Sequence, residues 1–160
     1  MAECCGNKPE NDHSRPNRPH KEGKKVVVIP CSGIGKPLGT VGRQATYDII
    51  EKRCPGRAMT TCLALLVSGD DEAVRLVKEN PCIALDGCPK ECARKNISIA
   101  GGTTRSELRV MDVLKEHRDC KPESVLHIGE GGERLVTMLA DRVEAEIGRI
   151  LGEEAGSDAE

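Results

Sequence analysis

The chain has 160 residues, a formal net charge of −2, no Phe, no Trp and a single Tyr, Tyr47. Single-strand nucleic-acid platforms need stacking aromatics and backbone phosphates need surplus positive charge, so nucleic acid is not an expected partner. No apolar run approaches the roughly 18 residues that span a bilayer, and residues 1–25 carry no apolar leader core, so neither a membrane nor secretion is expected and the expected address is cytoplasmic.

The 34 Val, Ile and Leu residues all lie between Val26 and Leu151. That distribution predicts a disordered N-terminal tail over 1–24, a packed domain over 25–151 and a disordered acidic tail over 152–160. Val26-Val27-Val28-Ile29 is a continuously apolar β-branched run ending at Pro30, as in a strand buried on both faces. A glycine-rich loop, Cys31 to Gly39, follows. Thr40 is the expected cap of a helix whose buried face uses Val41, Ala45 and Ile49.

Met59 to Leu66 reads as a second strand, with helix left open for the Leu63–Leu66 portion. Ser68 or Asp70 caps the next helix, with Ala73, Leu76 and Val77 inward and Asn80-Pro81 ending it. Cys82 to Leu85 reads as a third strand, and Pro89 suits the first position of a helix beginning there. Leu108 and Val110 alternate with Arg109 and Met111 as in a fourth strand. Leu135, Met138, Leu139, Val143, Ile147, Ile150 and Leu151 draw one stripe on a long last helix. Strands alternating with helices predict an α/β fold, a three-layer sandwich around a mostly parallel sheet of about four strands.

Nine cysteines in a chain expected to stay reduced point to metal ligation or thiol chemistry rather than a disulfide framework. Cys31 follows the first strand, Cys62 lies within or just past the second, and Cys88 follows the third. All three therefore belong to the carboxyl edge of a parallel sheet, where ligands bind. Cys92 stands four residues after Cys88, so on a helix opened by Pro89 the two sulfurs would share one side. Helix N-termini lower thiol pKa values and offer N–H groups to sulfur; Lys36, Arg43 and Lys90 stand in the same loops to offset thiolate charge. Cys54, Cys82 and Cys120 read as small buried hydrophobes. Cys4 and Cys5, with His13 and His20, fall in the tail.

The segments KVVVIPCSGIGKPLGTVGRQATYDII, CLALLVSGDDEA and ALDGCPKECARK resemble the DGC family, named for its Asp-Gly-Cys triplet and described as zinc-binding. The resemblance covers Lys25 to Leu151. It implies that the family's four cysteines correspond to Cys31, Cys62, Cys88 and Cys92, the set that placement also singles out, and that the cofactor is Zn²⁺. It implies no reaction.

Other motifs fail on inspection. A Walker loop would need Gly at Pro30 and Ser or Thr at Pro37. A dinucleotide fingerprint begins with Gly33 and Gly35 but meets Leu38 in place of its third glycine. A cysteine-phosphatase loop would need Arg at Pro37, and no Cys-x-x-Cys pair is present. His117 and His127 read as surface or structural side chains, and Asp86 as a helix cap or an orienting acceptor. Two chemistries remain for the cysteines: a closed Zn²⁺ site, or an iron–sulfur cluster or persulfide that handles sulfur, most simply on Cys31, Cys88 and Cys92.

Overall fold

The structure, a computed structural model, describes residues 24–31 and 33–157. The expected N-terminal tail with Cys4, Cys5, His13 and His20 lies outside the described residues, apart from Lys24. Among the described residues, four strands form one parallel sheet in the order β2-β1-β3-β4. They are β1 (Val26–Pro30), β2 (Ala58–Met59), β3 (Pro81–Asp86) and β4 (Thr103–Arg109). β1 pairs with β3 from Val27–Cys82 to Pro30–Leu85, and β3 with β4 from Pro81–Thr103 to Asp86–Arg109.

The order explains the layers. From β1 the chain winds outward through α1 (Pro37–Asp48) and a π-helical turn (Ile49–Arg53) to β2. It then reverses across β1 through α2 (Leu63–Ser68) and α3 (Asp71–Glu79) to β3, and continues through α4 (Cys92–Ile99) to β4. Because crossovers are right-handed, reversing direction moves the helices to the opposite face. α5 (Val110–Glu116) and α6 (Gly129–Ser157) return to the first face. Alternate residues of the central strands accordingly serve two cores: Val26, Val28, Ile83 and Leu85 pack with Val41, Ile49, Leu139 and Val143. Val27, Ile29, Cys82 and Ala84 pack with Leu66, Val77, Ala93 and Ile97. The α/β class and the parallel sheet thus follow the sequence pattern.

Several boundaries differ from the sequence expectation. The stretch from Met59 to Leu66 is not one strand. β2 stops at Met59, Cys62 takes the N-cap position of α2, and the apolar Leu63–Leu66 run is helical, closed by Gly69 at φ +76°. Thr40 does not cap α1, which begins at Pro37; its hydroxyl instead donates to the Val125 carbonyl at 3.1 Å, tying the 120–128 loop to the helix. Pro89 does not open α4, which starts at Cys92. Val110 ends the expected fourth strand by opening α5. α6 runs through Ser157, so the backbone of 152–157 is helical where an acidic tail was expected. Of the two cap candidates before α3, Asp70 does the work, accepting the Ala73 N–H at 2.9 Å.

Candidate metal centre

In an open parallel sheet the crevice for ligands lies where the winding reverses, beyond the carboxyl ends of two adjacent strands whose connections leave in opposite directions. Here those strands are β1 and β3. Cys31 follows β1 directly and continues its pairing, its N–H donating to the Leu85 carbonyl at 2.9 Å. Asp86 ends β3, and Gly87 and Cys88 follow it. The Gly87 N–H donates to the Cys31 Sγ at 3.2 Å. A backbone donor aimed at sulfur stabilises a thiolate.

The loop after β1 packs tightly over this point. A Cβ on Gly33 would fall on the Gly39 backbone, and one on Gly39 would stand 2.6 Å from the Gly33 carbonyl oxygen. At Gly87 a Cβ would meet the Gly39 nitrogen at 3.3 Å and the Cys31 Sγ at 3.5 Å. Glycine at these positions lets the two loops meet around the sulfur.

Asp86 is buried, and its carboxylate accepts the Ala93 N–H at 2.9 Å and the Arg94 N–H at 3.2 Å. It therefore caps α4 from the end of β3, the first of its two expected roles, and in doing so holds Cys92 at the first helical position. The intervening turn is held in an unusual shape: Glu91 adopts the left-handed conformation at φ +55°. Its carboxylate bonds Arg94 at 2.7 Å and Arg109 at 3.4 Å, and the Arg94 hydrogen bond, foremost, holds it below the ordinary carboxylate range. Cys88 thus belongs to a loop and Cys92 to a helix start, so the expected one-face i, i+4 pair on a single helix does not form.

Burial pushes the Cys31 thiol pKa up. The Gly87 N–H opposes that, and the Asp86 carboxylate adds to it, with smaller contributions in the same direction from the neighbouring Cys92 and Cys88. Cys62 meets Cys31 differently, across a cleft of about 350 Å³ that both residues line together with Arg43 and Tyr47. Cys31 is buried, Cys88 half-buried, and Cys62 and Cys92 exposed. Among the described residues no three Cys, His, Asp or Glu side chains converge as a preformed metal cage.

The donor set fits a soft cation in kind: Cys31 and Cys62 line one cleft, Cys88 and Cys92 belong to the loop and helix start that follow β3, and a backbone N–H meets the Cys31 sulfur. Cys54, Cys82 and Cys120 are buried in the two cores, as expected. Of the basic residues expected near the thiols, Arg43 lines the cleft, whereas Lys36 and Lys90 are exposed. Thr60 and Thr61 also line it; reading 59–66 as a strand hid them.

A parallel, doubly wound sheet with Cys31 and Cys88 just beyond the ends of its two central strands defines the class of this protein. Its family follows from comparison: the chain belongs to the DGC domain family, whose profile matches residues 27–131 and so spans Cys31, Cys62, Cys88 and Cys92. No curated protein and no solved structure matches the chain. Among the described residues no helix is long and apolar enough to cross a membrane.

Proposed function

We propose that this DGC-family protein binds one Zn²⁺ through Cys31, Cys62, Cys88 and Cys92, and that it does so in the reducing cytoplasm. The observation that carries the reading is the position of Cys31: its sulfur stands at the β1/β3 switch point, hydrogen-bonded by the Gly87 N–H, with Cys88 and Cys92 in its field and Cys62 across the adjoining cleft. A bound Zn²⁺ supplies charge compensation to thiolates and fastens the loops that bear them. The chain's own part is to place the ligands. Asp86 fixes the start of α4, the glycines bring the β1 and β3 loops together, and Arg43 sets a positive charge beside them.

The test is elemental analysis of protein purified without air. About one zinc per chain, removed by chelator together with the protection of four thiols, supports the proposal. Iron with acid-labile sulfide would replace it with the sulfur-handling reading, and a chain free of metal whose fold is indifferent to chelator would overturn it.

A further inference from the structure

The turn between Asp86 and α4 is anchored at both ends. The Gly87 N–H donates to the Cys31 sulfur, and the Ala93 and Arg94 N–H groups donate to the Asp86 carboxylate. Between these anchors the Pro89 ring locks its own φ and restricts Cys88 before it. The Glu91 N–H donates to the Cys88 carbonyl at 3.3 Å, and Lys95 Nζ to the Lys90 carbonyl at 2.8 Å. Glu91 itself is held against its own preference. Among the described residues it is the one non-glycine residue at positive φ, while six glycines take the other such positions. A Cβ makes that conformation costly, and glycine would form the same turn freely. What glycine would lack is the carboxylate. Glu91 Oε2 accepts Arg94 Nε at 3.0 Å and Nη2 at 2.7 Å on α4, and Oε1 accepts Arg109 Nη1 at 3.4 Å at the end of β4. Arg109 in turn pairs with Asp112 on α5 at 2.8 Å.

We infer that Glu91 is a positioning residue of the zinc centre: its forked ion pairs pin the turn that bears Cys88 and Cys92 to the end of β4, and so set where the two thiols stand. The consequence for metal binding rests on the zinc reading above; the pinning of the turn does not. A residue kept in a strained backbone conformation persists only where its surroundings hold it there, and such residues gather at functional sites. A charge network around a half-buried carboxylate is suited to that task in a way that an isolated surface pair is not. Without the fork, Glu91 reverts to an extended backbone. Because Gly87 and Ala93 stay anchored, the rotation falls on residues 88–92, and the Cys88 and Cys92 thiols shift relative to Cys31.

Two measurements on the full chain purified without air test this: zinc competition against a chromophoric chelator, and alkylation of the chelator-treated protein followed cysteine by cysteine by mass spectrometry. Glu91→Gln surrenders zinc to at least about tenfold less chelator than the native chain. Arg109→Gln does so severalfold, and Arg109→Lys recovers part of that loss. Glu91→Gly, which keeps the left-handed backbone without strain, holds zinc more tightly than Glu91→Gln. In the zinc-free chain, Glu91→Gln changes the alkylation rates of Cys88 and Cys92 severalfold and leaves that of Cys62, on a different loop, as in the native chain. Native zinc retention by Glu91→Gln overturns the inference. So does an equal change in rate at Cys62 together with a fall in Tm, which marks general loss of stability. A native chain that takes no zinc, but whose Cys88 and Cys92 rates respond to Glu91→Gln alone, contradicts the metal centre and leaves the pinned turn supported. A native chain that takes no zinc and shows unaltered rates in the variant overturns both.

Discussion

The Gly87 N–H donates to the Cys31 sulfur at 3.2 Å, joining the ends of two neighbouring strands across 56 positions of sequence. Through this bond the sheet's topology becomes a chemical arrangement. The reversal of winding puts β1 beside β3, and the first residue after each strand's end meets the other. Replacing Cys31 should therefore do more than remove one thiol. Cys31→Ser is expected to lower zinc content from about one per chain to a small fraction, as measured by elemental analysis. Cys82→Ala, which empties a buried position hydrogen-bonded to the Val77 and Asn80 carbonyls, should leave zinc content unchanged and cost about 1 kcal/mol in a urea melt through the vacated volume.

Asp86→Ala removes the acceptor of two backbone N–H groups at the start of α4. Leaving such donors unpaired in a buried site costs about 1–3 kcal/mol, which denaturant melts of the metal-free chain would read directly. Because Cys92 is the first residue of that helix, the variant should also surrender zinc to a competing chelator faster than the native chain. Stability loss with unaltered zinc retention would separate the cap from the site.

Gly39→Ala tests the meeting of the loops. The added Cβ would stand 2.6 Å from the Gly33 carbonyl oxygen, a backbone atom that cannot swing aside. Overpacking of this kind costs roughly 1–3 kcal/mol, and here it should also displace the loop that carries Cys31. The expected result is a lower melting temperature together with faster alkylation of Cys31.

Much of this arrangement is legible in the amino-acid order. The apolar runs at Val26–Ile29 and Cys82–Leu85 mark the two central strands, whose neighbours on both sides demand apolar residues throughout. Cys31 and Cys88 follow from them directly. The edge strands are less legible because they pair on one side only. β4 reads Thr-Thr-Arg-Ser-Glu-Leu-Arg and β2 is two residues long, so hydrophobic pattern alone marks neither well. The start of α4 was hidden for another reason. Pro89 is a good opening residue, yet the helix begins where a side chain from β3 satisfies its first N–H groups, and Glu91 turns left-handed to let it. That choice is tertiary, and no local pattern around Pro89 carries it.

Alkaline pH should weaken the metal-free fold. Burial raises the thiol pKa of Cys31 and Cys54, and pushes that of Cys82 from 9.0 up to about 12. A folded-state pKa above the unfolded one means the native chain holds the proton more tightly. The resulting stability is complete below the unfolded value and drains away as pH rises, finishing for Cys82 as pH passes about 12. Urea midpoints of chelator-treated protein are expected to fall steadily above about pH 9. Zinc uptake has the opposite dependence, strengthening as pH rises, because each ligand must lose its proton to bind.

In the proposed centre, four cysteines from three separate stretches of chain lend their sulfurs to one ion. X-ray absorption at the zinc edge of the anaerobically purified protein tests it most directly. A first shell of four sulfurs at about 2.3 Å is the predicted result. A shell dominated by oxygen and nitrogen, or zinc present far below one per chain, would contradict it.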